Sequence, residues 1–187
     1  MKLKRRFVIL AVAIICTTAI GIGSTLALLT SLSGVVKNTF TVGKVNITLS
    51  ETTGNSYKLI PGATVDKDPK ITVLKDSEEC WLFVRIEAPA EADSFISYHA
   101  AEGWAPLTGQ PGIYYRKAPK TAADTAYSVL LNDCFTVKDT VSKAQMSALQ
   151  MSALSSPLTL TFTAYAIQAH GIESASEAWS ELQSSIR

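Results

Sequence analysis

Histidine is almost missing from this 187-residue chain: His99 and His170 are the whole supply. Zinc hydrolysis needs several ligands and a base beside the bound water. No His-Glu-x-x-His run is present, and the two histidines sit beside polar or turn-forming residues in SYHAAEG and IQAHGIE. They read as partly exposed residues at element ends, with His170-Gly171 closing the last strand. Serines are plentiful, yet none stands in a Gly-x-Ser-x-Gly elbow, so the nucleophile of an α/β-hydrolase has no counterpart. The pair Glu78-Glu79 and the run Asp66-Lys67-Asp68 read as solvated loop charges rather than acid–base carboxylates. The latter also lacks the glycine placement of an EF-hand loop. Past the first six residues the basic side chains are scattered rather than clustered. With no basic stripe carrying interleaved aromatics, nucleic-acid binding has no electrostatic case. Internal repeats and βαβ spacing are missing as well. The expectation is a protein that is not an enzyme, with no catalytic, cofactor or metal residues to name.

Cysteine is scarce too, with three residues. Cys16 lies in an apolar run after Ile15, and reads as a small apolar residue there rather than a lipid-bearing one. Cys80 and Cys134 sit beside aromatics, in CWLF and DCFTV, and have the spacing of neither a zinc knuckle nor a redox motif. Two readings stand for them: a single disulfide, or a pair of buried free thiols.

What the chain has in abundance is an export segment. Lys2, Lys4, Arg5 and Arg6 form a basic start, and Phe7 to Ile22 is free of charge. That order is the n-region and h-region of a secretory signal. Thr25-Leu26-Ala27 then offers small residues three before and one before a cut, so cleavage is expected between Ala27 and Leu28. Gly21 and Gly23 weaken the helix just upstream. The alternative is an uncleaved anchor, because Phe7 to Leu29 approaches the ~20 apolar residues that span a bilayer. Membrane contact is expected only through this segment. Cleavage takes Lys+Arg from 17 to 13 against 16 Asp+Glu, so formal net charge moves from +1 to −3. The expected organisation is a signal peptide over 1–27, a mature N-terminal segment over 28–38 and one domain over 39–187.

From residue 38 the pattern is mostly period two. Phe40 and Val42 share one parity, whereas Val45, Ile47 and Leu49 share the other. The switch at Gly43-Lys44 predicts a β-bulge, with Asn46 and Thr48 facing out. Pro61-Gly62 marks a turn, and Ile71 and Val73 alternate with Thr72. In CWLFVRIEA, Cys80, Leu82, Val84 and Ile86 share one face and Trp81, Phe83, Arg85 and Glu87 the other. Apolar residues on both faces predict a central strand. A short helix is expected within Ala92 to Tyr98. A hairpin should run through the turns near Gly103 and Gly109-Gln110-Pro111-Gly112 into Ile113–Arg116, and another strand is expected over Asp133–Lys138. Ser142 should cap a helix carrying Met146 and Leu149. SPLTLTFTAYAIQAHG is the clearest strand, with Leu158, Leu160 and Phe162 inward and Thr159, Thr161 and Thr163 on a solvent-tolerant face. Ser174 and Glu177 then open an amphipathic helix over 174–184 with Ala178, Trp179 and Leu182 on its apolar side. Many short alternating strands with few, peripheral helices predict a mainly β fold, an antiparallel β-sandwich or jelly roll.

GSTLALLT at 23–30, NTFTVGKVNITLSE at 38–51, PGATVDKDPKITV at 61–73, CWLFVRIE at 80–87 and AYAIQAHGIESASEAW at 164–179 together resemble the TasA/camelysin-like family of exported Gram-positive proteins. The likeness is strongest to its clostridial branch. The resemblance implies a jelly-roll or Ig-like sandwich with helical decorations and a location in the cell surface or extracellular matrix. It also implies export cut by a specialised type I signal peptidase at Thr25, Ala27 and Leu28. This chain has Leu29 where the family usually has an aromatic, and Thr30-Ser31 in place of a polar-acidic pair. Self-association into biofilm fibres is implied too, by passing the mature N-terminus into a neighbour's sheet. Here Leu28, Thr30 and Leu32 alternate along one face and form the candidate donor strand. Against that stand a first strand folded on its own domain, a monomeric binding module, and a camelysin-like metalloprotease.

Overall fold

A computed structural model of the chain describes residues 31–33, 38–54, 56–151 and 159–186. The export segment, the expected cut at Thr25, Ala27 and Leu28, and the donor residue Thr30 lie outside the described residues, as does Leu158.

Thirteen strands are assigned among the described residues. The largest sheet has five strands in the order β2 (Asn38–Val42), β13 (Thr161–Gln168), β7 (Cys80–Glu87), β10 (Ile113–Ala118) and β9 (Ala105–Pro106). All its pairings are antiparallel except β2 with β13, which run parallel with Phe40 opposite Tyr165. The expectation of an all-antiparallel sheet is corrected there. A three-stranded sheet follows the order β11 (Thr125–Ser128), β6 (Lys70–Val73), β3 (Ile47–Ser50). Another follows β5 (Thr64–Asp66), β12 (Cys134–Val137), β8 (Ile96–Ser97). A two-stranded ribbon joins β1 (Ser31–Ser33) to β4 (Ser56–Lys58). The fold is thus a mixed, mostly antiparallel β architecture with, among the described residues, two α-helices, α1 (Lys143–Met151) and α2 (Ala175–Ile186).

Strand β7 is central because its two parities are both apolar. Cys80, Leu82, Val84 and Ile86 enter one buried cluster with Phe162, Ala164 and Ala166 of β13, Ile47, Leu49, Ile71 and Val73 of the first small sheet, and Phe135, Val137 and Ile96 of the second. Phe83, on the other face, joins Ile113, Tyr165 and Ile167 beneath Ala175, Ala178, Trp179 and Leu182 of α2. The five-stranded sheet is therefore covered by strands on one side and by the C-terminal helix on the other.

Both predicted helix caps form. Ser142 Oγ accepts from the Gln145 amide (3.2 Å) while Gln145 Oε1 accepts from the Ser142 amide (2.9 Å), a reciprocal capping box. Ser174 Oγ accepts from the Glu177 amide at 3.2 Å, and Glu177 reaches back to the Glu173 amide.

Three local expectations change. The parity switch at Gly43-Lys44 is a corner between two sheets rather than a bulge. Strand β2 pairs with β13 and β3 with β6, so the apolar residues after the corner serve a different face. Gly43 turns the corner at φ +84°, and a Cβ there would stand 2.8 Å from Gln168. The helix expected within Ala92 to Tyr98 is a 3-10 turn at Ala90–Ser94 followed by β8, whose residues pair with β12. The threonine face of β13 is not a solvent face, since Thr163 is buried and Thr161 half-buried. A strand flanked on both edges under a helix has little water to offer either face.

Candidate functional site

Strand β3 carries Ile47 and Leu49 inward, and the next residue of that parity is Glu51. Strand β5 carries Val65 inward, and the next residues of its parity are Lys67 and Pro69. The two opposite charges meet inside the protein, with Lys67 Nζ 2.5 Å from Glu51 Oε1 and side chains only 2% and 3% exposed. The ammonium lies over two rings, 5.2 Å from the centroid of Tyr57 and 5.5 Å from that of Phe162. The Tyr57 hydroxyl is 2.9 Å from Glu51 Oε1, close to the Gly54 carbonyl, and 3.5 Å from Lys67 Nζ, which donates to it. Burial pushes the Tyr57 hydroxyl up to about 12, with the Glu51 and Asp68 carboxylates adding to the effect against a hydrogen bond from Thr53. Glu51 Oε2 is buried and has no hydrogen-bond partner among the described residues.

Next to this pair, Asp68 holds the 51–54 turn. It accepts from the Thr52 amide (2.9 Å), the Thr52 hydroxyl (2.6 Å) and the Thr53 amide (2.9 Å). Burial alone would raise this carboxyl. The donated bonds from Thr52 and Thr53 outweigh it and hold Asp68 well below the usual carboxylate range. The reading of Asp66-Lys67-Asp68 as solvated charges is therefore corrected for Lys67 and Asp68, which are buried, and stands for exposed Asp66.

This cluster underlies the N-terminal ribbon. Tyr57 sits at the centre of β4, packs edge-on against Phe135 at 5.8 Å, and its backbone pairs with Leu32 of β1. The described part of the candidate donor segment is thus a strand on its own domain, in the register Ser31 with Lys58 and Ser33 with Ser56.

A second feature lies across the molecule. Arg85, Tyr165, Trp179, Leu182, Gln183 and Ile186 line a groove of about 210 Å³ between α2 and the outer face of the five-stranded sheet. The Trp179 ring packs against Phe83 (5.1 Å) and edge-on against Tyr165 (5.2 Å), and its Nε1 is buried without an acceptor among the described residues. Arg116 of β10, by contrast, points to the core side, with its guanidinium 4.0 Å from the Tyr127 centroid and 5.5 Å from that of Trp104. Desolvation lowers its pKa. This arrangement is packing, a guanidinium laid against two aromatic rings.

The remaining candidates do not converge. His99 and His170 are both exposed. Glu78 and Glu79 make surface ion pairs with Lys120 (2.9 Å) and Lys117 (2.6 Å). Among the described residues no group of three or more His, Cys, Asp and Glu is placed to hold a metal ion. Cys80 and Cys134 are free thiols in different sheets, so the disulfide alternative is not realised. Cys80 is buried, and burial pushes its thiol up to about 12, with the Glu79 charge adding to it. Cys134 is half-buried and its Sγ contacts the Leu131 carbonyl at 3.7 Å.

No protein-family description, curated protein or solved structure matches the chain.

Proposed function

We propose that this is an exported structural protein of the cell surface or extracellular matrix, released by a specialised signal peptidase and able to self-associate through its mature N-terminus. The observation that carries the reading is the ribbon of Ser31–Ser33 on Ser56–Lys58. It is a pairing of three residues with three, set apart from the other sheets. A two-stranded ribbon is marginal by itself. The backbone bonds that hold β1 on its own β4 can equally hold the β1 of a neighbour, and such exchange is head to tail, which builds open filaments. Burying Leu28 and Leu32 against a neighbour would contribute about 1.5–3 kcal/mol each before ordering costs. In this reading the two small sheets and the five-stranded sheet close as a jelly-roll or Ig-like sandwich, with one edge left to the N-terminal segment.

The test is electron microscopy and non-denaturing sizing of three proteins: residues 28–187, a form starting at Thr39, and Leu28→Asp with Leu32→Asp. Long polymers should come from the first alone. Equal polymerisation of the form starting at Thr39 removes the N-terminal segment as donor. A second reading, a monomeric surface binding module, is favoured by the apolar groove beside Trp179. It becomes the better one if none of the three polymerises.

A further inference from the structure

We propose that Lys67 and Glu51 form a side-chain amide bond, a built-in covalent cross-link between the end of β3 and the segment after β5. The geometry on which this rests is independent of the assembly reading. Nζ lies 2.5 Å from Oε1, an oxygen borne by the carbon to be attacked, and both side chains are at least 97% buried on the 2% and 3% exposures. The walls are the Phe162 and Tyr57 rings, 5.5 and 5.2 Å from Nζ. One carboxylate oxygen, Oε2, is buried with no donor among the described residues. A permanent ion pair here leaves one buried anionic oxygen unsatisfied among the described residues, which is the costly way to bury charge.

The condensation removes that cost and needs no co-reactant. One proton passes from the Nζ ammonium to the carboxylate, leaving a neutral amine and a neutral acid. The Nζ lone pair then attacks Cδ and the C–N bond forms. Charge develops on Oε1, to which the Tyr57 hydroxyl, 2.9 Å away, donates its hydrogen bond. The C–Oε2 bond breaks, and Oε2 departs as water with the acid proton and one proton from nitrogen. Ammonium plus carboxylate gives amide plus water, with nothing oxidised or reduced. In open water this equilibrium lies toward the separated groups. Contact held by the fold speeds the condensation, since well-oriented pairs reach effective molarities of about 10⁵–10⁸ M, and replacing two buried charges by one neutral amide favours the product. Tyr57 is then a catalytic residue, and Phe162 and Phe135 position it and the amine. The product staples the 51–54 turn, which leads to the β4 edge that pairs with β1, to the core.

The experiment is intact mass of the full-length product as purified, measured under denaturing conditions, followed by tandem mass spectrometry of a tryptic digest. The wild type should be one water lighter than its observed termini require. Its digest should contain residues 45–58 joined to residues 59–70, uncut at Lys67. Glu51→Ala should restore the full mass. Tyr57→Phe keeps the ring against Phe135 but lacks the hydroxyl. In a time course on newly synthesised protein it should leave most molecules unlinked when the wild type is fully linked. A folded wild type at its full sequence mass overturns the proposal. So does a mass loss that persists in Glu51→Ala, or one that maps to any other pair.

Discussion

Truncating Phe162 to alanine tests the central claim about the core. The ring is fully buried on the inner face of β13, in the cluster that joins the five-stranded sheet to both smaller ones. Removing it deletes the transfer free energy of an aromatic side chain and leaves a cavity that three sheets must close around, at about 3–5 kcal/mol. A second cost adds to this, because Lys67 Nζ rests 5.5 Å from the ring and loses one of its two aromatic walls. The expected destabilisation is therefore at the upper end of that range, against a total stability of about 5–15 kcal/mol for a domain. Thr161 lies one residue away on the opposite face and is half-buried, so Thr161→Val should stay within about 1 kcal/mol of wild type. Urea denaturation followed by tryptophan fluorescence reads both variants. A cost below about 1 kcal/mol for Phe162→Ala, or equal costs for the two, would refute the face assignment.

Protein recovered from the extracellular fraction should begin at Leu28 by intact mass, and Ala27→Arg should block the cut; a main species that keeps Lys2 to Arg6 would favour the anchored alternative. Because the folded state depresses the Asp68 carboxyl, the stability it contributes is present above the unfolded carboxylate range and is lost as pH falls through the lower folded value. Acid titration of stability should therefore be shallower in Asp68→Asn than in the wild type, and parallel curves would contradict the linkage. Gly43→Ala should cost at least about 1 kcal/mol, since it places a side chain at φ +84° and a Cβ 2.8 Å from Gln168; unchanged thermal unfolding would contradict the corner. In native protein Cys134 should alkylate faster than Cys80, whose thiol is buried and held at about 12; equal rates would show that Cys80 is not sealed in the core.

The parts of this fold legible in the sequence are those where one strand's own residues decide its environment. CWLFVRIE is apolar at both parities, and a strand with two apolar faces has to be central, as β7 is. Ser142 and Ser174 cap helices through bonds to residues three positions on, which need no distant partner. The disulfide alternative failed for the opposite reason, since the meeting of Cys80 and Cys134 depends on which sheets they join. The corner at Gly43 was visible as a parity switch. A bulge and a sheet crossing write the same switch into the sequence and differ only in which strand pairs next. The Lys67–Glu51 pair was missed by reading charge before parity. Asp66-Lys67-Asp68 looks solvated as a composition, yet Lys67 follows Val65 at the inward parity, and Glu51 follows Ile47 and Leu49 at theirs. A lone charge at an inward position must shed its charge, distort the strand or find a counter-charge. When two strands of one fold each lead from inward apolar positions to an inward charge, and the charges are opposite, each supplies what the other lacks. That pattern is written in NITLSE and TVDKDP, and it points to a buried pair rather than to two loops in water.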